Sequence, residues 1–223
     1  MSQSPSLRFN PASWTRPFHI DDVFGYRPTH FEVELGSGMG RFLVNHARKH
    51  PDTAFLGIER MLIRVRKTSR RAQRHNLTNV RLLYVEACYA VNYLIPDASV
   101  KTYYLFFPDP WPKNKHRWRR LFDTGFLTAL NRTLIPSGRL YVATDHLDYF
   151  DIIAKILRHD DRFKEIEPFE PGEDEKSDFE RLFLSQNKPI GRCGFQRHEC
   201  PGAPPDRHGL SDAPAPLCRG ETD

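Results

Sequence analysis

The stretch "FFPDPWPKNKHRWRR" (106–120) combines residue types that suit chemistry on an aromatic, negatively charged partner. Asp109 lies between Pro108 and Pro110, whose rings restrict the backbone on both sides of the carboxylate. Trp111 offers a face on which an unpaired base could stack, worth about 1–3 kcal/mol. Five cations follow within the same run: Lys113, Lys115, Arg117, Arg119 and Arg120. The pattern predicts a fixed carboxylate beside a phosphate-binding surface.

A glycine loop, "ELGSGMG" (34–40), provides a second candidate site. Gly36, Gly38 and Gly40 lack Cβ atoms, so the backbone there can turn sharply and approach a ligand closely. The G-x-G-x-G spacing differs from the dinucleotide form G-x-G-x-x-G. Glu34, just ahead of the loop, disfavours a pyrophosphate and favours a cationic ligand. Taken alone, the loop is equally compatible with a nucleotide site and with a simple tight turn.

Further acids follow the apolar runs. Glu59 could accept hydrogen bonds from both ribose hydroxyls of an adenosine group. The alternative is that Glu59 only favours the positive N-terminus of the next helix. Glu86 is expected beside the adenine, and Asp145 ends a later run. A ligand with an adenosine group and a positive centre but no phosphate is S-adenosylmethionine, which the sequence therefore predicts as the cofactor.

Short apolar runs alternate with helical segments along the chain. Strands are expected at 31–35, 54–59, 80–85, 100–107, 139–144, 162–168 and 192–198, and helices at 41–50, 61–76, 87–95, 119–134 and 147–158. This alternation predicts an α/β fold with a doubly wound, mostly parallel, seven-stranded sheet. Ligands of such folds bind at the carboxyl ends of the strands, near the point where strand order reverses. The acids and the glycine loop follow strands at those ends.

Composition limits the possible partners. Lysine and arginine number 33 against 28 acids in 223 residues, and basic residues are concentrated in two segments. The segment 60–74 is either an RNA surface or a solvated helix face. No apolar run approaches the roughly 20 residues of a membrane span, and the N-terminus shows no secretory signal. The four cysteines form no C-x-x-C pair, and no pair of histidines is judged to have the spacing of metal ligands. We therefore expect a cytoplasmic protein without a metal site or a membrane segment.

The domain organisation is expected to be simple. Residues 1–17 are predicted to form a flexible N-terminal arm, and residues 18–198 a single domain. The segment 199–223 is rich in proline and glycine with almost no large apolar residues, so it is predicted to be a disordered tail.

Several of these motifs resemble one family. "FPDPWPKNKH" (107–116) is similar to the signature of the tRNA guanine-N7 methyltransferase family. The same likeness extends to "ELGSGMGRFL" (34–43), "GIE" (57–59), "PSGRLYVATD" (136–145) and "DFERLFLSQNKPIGRCGFQR" (178–197), in family order. It implies the Rossmann-like fold of class I S-adenosylmethionine-dependent methyltransferases, and methyl transfer to N7 of a guanine in the variable loop of tRNA. The oligomeric state is left open and is compatible with a monomer.

The resemblance also implies roles for individual residues. The residues that correspond to cofactor contacts are Glu34, Gly36, Gly38, Gly40, Glu59, Glu86 and Asp109, although the family more often has Asp or Asn at position 86. Asp109 corresponds to the catalytic residue. The residues that correspond to tRNA contacts are Lys113, Asp145, Ser177 and Glu180. Asp178 stands where the family commonly has lysine, and this reversed charge bears on tRNA affinity.

Two other functions remain compatible with the sequence. An amine-directed nucleic-acid methyltransferase would show a motif of the form Asp/Asn-Pro-Pro-aromatic, which the order Asp-Pro-Trp-Pro fits less well. A catalytically silent or re-targeted RNA-binding paralogue is the other, and the altered late element around Asp178 is compatible with it. Donor binding separates the silent paralogue from the enzymes, and nucleoside analysis separates the two enzymes.

Overall fold

The computed structural model describes residues 7–110 and 122–198. Within them eight strands form one sheet, in the order β1-β4-β3-β2-β5-β6-β8-β7. The strands are β1 (Arg8–Phe9), β2 (His30–Leu35), β3 (Thr53–Glu59), β4 (Val80–Tyr84), β5 (Val100–Phe106), β6 (Leu134–Thr144), β7 (Phe163–Ile166) and β8 (Gly191–Arg197). Strands β1 to β6 are joined by parallel pairings, whereas β8 runs antiparallel to both β6 and β7. The prediction of a doubly wound, mostly parallel α/β sheet is confirmed.

The predicted number of seven strands is wrong by one. The extra strand is β1, which pairs Arg8 with Leu82 and Phe9 with Leu83 at the edge of the sheet. Two residues are too few to show the alternation by which a strand is recognised in a sequence. The other seven strands match the predicted runs to within a few residues.

Strand order reverses at β2. From this strand the chain proceeds outward through β3 and β4 on one side, and through β5 and β6 on the other. All seven residues of β3 are buried, as expected for a parallel strand covered on both faces. The carboxyl ends of β2, β3 and β5 therefore meet at the switch point, where open α/β sheets bind their ligands.

The helices cover both faces of the sheet. They are α1 (Ile20–Phe24), α2 (Arg41–Lys49), α3 (Leu62–Arg74), α4 (Ala87–Tyr89), α5 (Thr124–Thr133), α6 (Leu147–Arg158) and α7 (Asp178–Ser185), and α4 continues as a π-helical turn over Ala90–Leu94. The sequence did not predict α7. The predicted helix 119–134 ends at Thr133, because Leu134 already pairs with Val100 of β5.

Two expectations about the ends of the chain remain predictions. Leu7 is buried, and the β1 pairing lies within the segment 1–17 that is predicted to be flexible. The domain limits are not tested further, and the segment 199–223 lies outside the described residues. None of the described helices is long and apolar enough to cross a membrane.

Candidate functional site

An open cleft of about 800 Å³ lies at the carboxyl edge of the sheet. It brings together predicted site residues from five different connections: Gly36, Glu59, Glu86, Asp109 and Asp145. A narrower recess of about 130 Å³ adjoins it and contains Glu34, Gly38 and Ser177. The sheet topology thus places eight of the predicted residues around one connected space.

The glycine loop has the backbone geometry that its sequence predicts. Gly36, Gly38 and Gly40 have φ values of 80°, 56° and 73°, in the left-handed region that residues with a Cβ rarely adopt. An added Cβ at Gly40 would also collide with Thr68 of α3. The loop is therefore held between β2 and α3, and Gly40 packs behind it instead of lining the cleft.

Glu34 is a buried carboxylate with an unused oxygen. Its side chain ends β2 and faces the recess, and its Oε2 has no hydrogen-bond partner among the described residues. Burial raises the pKa of Glu34 well above its usual range, and the nearby charge of Glu59 raises it further. An unpaired buried carboxylate is costly. The recess is consequently suited to a cationic group that would pair with it.

Glu59 makes the helix-end contact that the sequence left open, and it also lines the cleft. Its Oε1 accepts a hydrogen bond from Met61 N (2.9 Å), at the start of α3, and its Oε2 accepts one from Gly38 N (3.0 Å). It therefore ties the glycine loop to the helix start, as the helix-end interpretation requires. A carboxylate has about four acceptor positions, so positions remain for a ligand in the cleft that Glu59 lines.

Glu86 is exposed and caps α4. Its side chain accepts a hydrogen bond from Tyr89 N (3.0 Å), and the residue also lines the cleft. The cap accounts for an acid at this position without a ligand, so the predicted cofactor contact stays a prediction.

Asp109 lines the same cleft as Glu59 and Glu86. Phe107 has φ of 55°, a strained value for a residue with a Cβ, and this turn sends the chain sharply out of β5. Asp109 is exposed, and its Oδ2 accepts a hydrogen bond from Arg60 Nη2 (2.8 Å). Arg60 follows Glu59 at the end of β3, so the pair spans the mouth of the cleft. Sequence reasoning placed Arg60 in a basic segment but not as the partner of Asp109.

Asp145 is likewise paired with a cation. Lys188 Nζ lies 3.3 Å from Asp145 Oδ2 and 4.6 Å from the ring centroid of Phe183. Phe183 belongs to α7 and lines the same cleft. No sequence signal indicated the partnership of Lys188 with Asp145, because 43 positions separate them.

The late element "SDFE" (177–180) begins α7 as a capping box. Ser177 Oγ accepts a hydrogen bond from Glu180 N (3.1 Å), and Ser-x-x-Glu is a known start signal for helices. Glu180 is buried beside Arg192 of β8 and lines neither the cleft nor the recess. Asp178 Oδ2 lies 3.4 Å from Arg71 Nη1 of α3. The structure thus gives Glu180 and Asp178 partners within the protein.

One wall of the site was missed by the sequence analysis. Phe179 on α7 lines both the cleft and the recess, and it is 39% exposed. The Arg64 guanidinium carbon lies 5.6 Å from the centroid of its ring. The capping box at Ser177 was the available signal, since it marks the start of a helix. Lys113, Trp111 and the rest of the basic run lie outside the described residues.

Two histidines lie close together at the C-terminal end of α2, one within the helix and the other as its C-cap. His46 and His50 are four residues apart, and their ligand atoms and those of Glu175 lie within 4.8 Å of one another. The statement that no pair of histidines has metal-ligand spacing is wrong for this i, i+4 pair. His46 Nδ1 lies 2.7 Å from Glu175 Oε1, at hydrogen-bond distance. The expectation of no metal site stays a prediction.

The comparisons with known proteins agree with this geometry. A family model described as "Putative methyltransferase" matches residues 28–193. The tRNA (guanine-N(7)-)-methyltransferase of Alkalilimnicola ehrlichii is 32% identical over 191 residues, which are 84% of this chain and 80% of that protein. The enzyme of the same name from Nitrosomonas europaea is 36% identical over 147 residues, 66% of this chain and 65% of the relative. The match thus spans just under two thirds of the Nitrosomonas protein.

A solved structure supports the fold. The 30S ribosomal A1408 methyltransferase from an uncultured bacterium superimposes with a TM-score of 0.55 at 16% identity, covering 80% of this chain and 92% of that one. The fold is that of class I S-adenosylmethionine-dependent methyltransferases. Within that class, the chain belongs to the tRNA (guanine-N(7)-)-methyltransferase family.

Proposed function

We propose that this protein transfers the methyl group of S-adenosylmethionine to N7 of a guanine in tRNA. The proposal rests on the arrangement of acids and of the glycine loop around the cleft. Glu34, with its unpaired buried oxygen, lies beside a glycine loop that Glu59 fixes, and Asp109 lines the same cleft as Glu59. The membership of the chain in its family agrees with this arrangement.

The charge of the recess supports this donor. Glu34 and Glu59 would repel a pyrophosphate, whereas the amino group and sulfonium of S-adenosylmethionine are positive. Glu34 would pair with a cationic group of the donor, and Glu59 would accept hydrogen bonds from its ribose. Bound there, the donor supplies an electrophilic methyl group. The remaining task of the protein is to hold the acceptor base in line with it.

Asp109 suits that task. Guanine N7 carries a lone pair and no proton, so its methylation requires no general base. Asp109 can accept hydrogen bonds from the N1 and N2 edge of guanine, which aims N7 into the cleft, and its charge favours the cationic product. Positioning of this kind can lower a barrier by up to about 7–11 kcal/mol. Pro108 and Pro110 limit the backbone motion that would weaken it.

The ion pairs at the mouth of the cleft suggest how RNA engages it. Asp109 is held by Arg60 and Asp145 by Lys188. Exposed pairs of this type contribute only about 0–1 kcal/mol, so RNA phosphates can draw the cations away. The acids are then available to the base. Lys113, Ser177 and Glu180 remain proposed tRNA contacts, although Glu180 would first have to leave Arg192. A tRNA substrate also fits the expected cytoplasmic location.

A binding and transfer experiment tests the proposal. The full chain is titrated with S-adenosylhomocysteine in a calorimeter, and then incubated with unmodified tRNA transcript and donor labelled in the methyl group. We expect saturable binding of one equivalent and label in the RNA. Transfer of the label to RNA by the Asp109→Ala variant at the wild-type rate would contradict the role of Asp109. An absence of donor binding would contradict the proposal as a whole.

A further inference from the structure

A buried polar cluster lies behind the recess and has no role in the proposed chemistry. His46 of α2 is 6% exposed, and its Nδ1 lies 2.7 Å from Glu175 Oε1. Its Nε2 lies 3.1 Å from the hydroxyl oxygen of Tyr104 on β5. The same hydroxyl donates to Glu32 Oε2 on β2 (2.9 Å). A chain of hydrogen bonds thus runs from the middle of the sheet to Glu175.

Glu175 belongs to the segment that leads into α7. It lies two residues before Ser177, the cap of that helix. The first turn of α7 forms the wall of the recess opposite the glycine loop, because Ser177, Asp178 and Phe179 line it together with Gly38. The contacts that hold Glu175 therefore also hold Ser177, where this wall of the recess begins.

We propose that His46 and Glu175 are positioning residues that hold the first turn of α7 over the glycine loop and so set the affinity for the methyl donor. This inference rests on the proposed function, because it assigns the recess to the donor. Neither side chain lines the cleft or the recess, so neither can act by touching a ligand there.

The hydrogen bonds at Glu175 make the anchor strong. Its Oε1 accepts from His46, and its Oε2 accepts from Gly172 N (3.1 Å) and lies 3.2 Å from Lys49 Nζ. Burial raises the pKa of Glu175, but these donors outweigh burial and lower it overall. Removing the carboxylate leaves His46 Nδ1 unpaired in the interior, which is more costly than losing an exposed contact. The anchor also orders the turn 172–175.

Neighbouring contacts show which part of α7 depends on the anchor. Glu180 lies in the first turn of α7 and pairs with Arg192, and this buried contact holds the helix to β8. Upstream of Glu175, Phe169 packs on Phe42 (5.9 Å) and His46 (5.6 Å). Between these two attachments, Asp174 contacts Asn45 and Lys49, and Asp178 contacts Arg71, but the contact of Glu175 with His46 is the buried one. Losing it should loosen the start of α7 ahead of Glu180, while the helix from Glu180 onward stays docked.

The expected effect follows from the populations of two states. If the first turn of α7 is docked only part of the time, the apparent donor affinity equals the affinity of the docked state multiplied by the docked fraction. We expect Glu175→Ala to raise the dissociation constant for S-adenosylhomocysteine about tenfold, which corresponds to about 1.4 kcal/mol. Glu175→Asp retracts the carboxylate from His46 and should give a smaller loss. Glu175→Gln keeps an acceptor for His46 Nδ1 but places its NH2 group against Gly172 N and Lys49 Nζ, so it should restore only part of the affinity.

Glu173→Ala is the matched control. Glu173 belongs to the same turn but is largely exposed, and its carboxylate pairs with Lys176 instead of His46. Calorimetric titration with S-adenosylhomocysteine and amide hydrogen exchange over residues 176–182 are measured on the full chain for each variant. Anchoring predicts faster exchange and weaker binding in Glu175→Ala and Glu175→Asp, and wild-type behaviour in Glu173→Ala.

Two results would overturn the inference. One is wild-type exchange over 176–182 in a folded Glu175→Asp or Glu175→Ala variant. The other is wild-type affinity for S-adenosylhomocysteine in a Glu175→Ala variant that exchanges faster over 176–182, because the start of α7 would then move without affecting the donor site. If the wild-type protein binds no S-adenosylhomocysteine, the proposed function fails, and the exchange comparison still decides whether Glu175 anchors α7.

Discussion

Replacing Glu34 with glutamine should stabilise the protein while weakening its donor site. The carboxylate is 3% exposed, and its Oε2 lacks a partner among the described residues. Burial has raised its pKa well above the usual value, so keeping it ionised at neutral pH opposes folding. Glutamine has nearly the same shape without the charge. The variant should therefore separate the cost of the unpaired carboxylate from its use in binding.

The effects of Glu34→Gln on stability and on donor affinity differ in sign and size. An unpaired buried polar group costs about 1–3 kcal/mol, and since the amide remains polar we expect a gain of about 1 kcal/mol. For a chain of this size that gain raises the melting temperature by about 2–4 °C. The lost hydrogen bond to a charged group is worth about 1.5–3 kcal/mol. Donor affinity should fall by about 10- to 150-fold.

The pH dependence gives a sharper test. A carboxyl whose pKa is raised by folding contributes stability below its ordinary value of 4.5, and this contribution is lost as the pH rises through the folded pKa. The gain in melting temperature of Glu34→Gln over the wild type should thus be absent at pH 4 and grow as the pH increases.

Glu32→Gln serves as the control for this test, because Glu32 is also buried on β2 but accepts hydrogen bonds from Tyr104 and Thr102. It should lower the melting temperature. Both variants are measured by thermal melts at several pH values and by calorimetry with S-adenosylhomocysteine. The reasoning is refuted if Glu34→Gln is less stable than the wild type, or binds the ligand as tightly as the wild type.

Four further predictions concern the rest of the chain. Asp109→Ala should reduce the rate of methyl transfer by orders of magnitude in single-turnover assays and change donor affinity far less. Equal losses of rate and of donor affinity would mean that Asp109 acts by binding the donor. Glu59→Ala should weaken S-adenosylhomocysteine binding at least tenfold and also lower the melting temperature, since two backbone N–H groups lose their acceptor. Asp178→Lys should steepen the salt dependence of tRNA binding by up to about two phosphate equivalents. It should also cost up to about 1 kcal/mol of stability through its contact with Arg71; an unchanged salt slope would mean that position 178 does not face RNA. Truncation after His198 should leave melting temperature and activity unchanged, and a loss of either would give the tail a role.

Much of the fold could be predicted because it is encoded locally. Seven strands and most helices follow from runs of apolar residues and their period, and the acid or glycine loop after five of these strands indicated the functional edge. The prediction failed where the signal was short or non-local. β1 has two residues and exists because Leu82 and Leu83 offer a free edge. The helix α7 was overlooked although Ser177 and Glu180 form a capping box.

The partners of the site acids could not be predicted from the sequence. Arg60 and Asp109 are 49 positions apart, and they meet because β3 and β5 flank β2 in the sheet. The anchor of Glu175 on His46 spans 129 positions. The resemblance to a family supplied roles for Glu180 and Asp178, whereas their contacts with Arg192 and Arg71 depend on how α7 packs. Only the three-dimensional structure shows these partners within the chain.

The most direct test is the identity of the methylated nucleoside. Unmodified tRNA is incubated with the full chain and S-adenosylmethionine, digested to nucleosides and analysed by mass spectrometry against authentic standards. The account predicts 7-methylguanosine, formed by the wild-type protein and strongly reduced with Asp109→Ala. A methyl group on an exocyclic amine, or no methylated nucleoside from a protein that binds the donor, would contradict it.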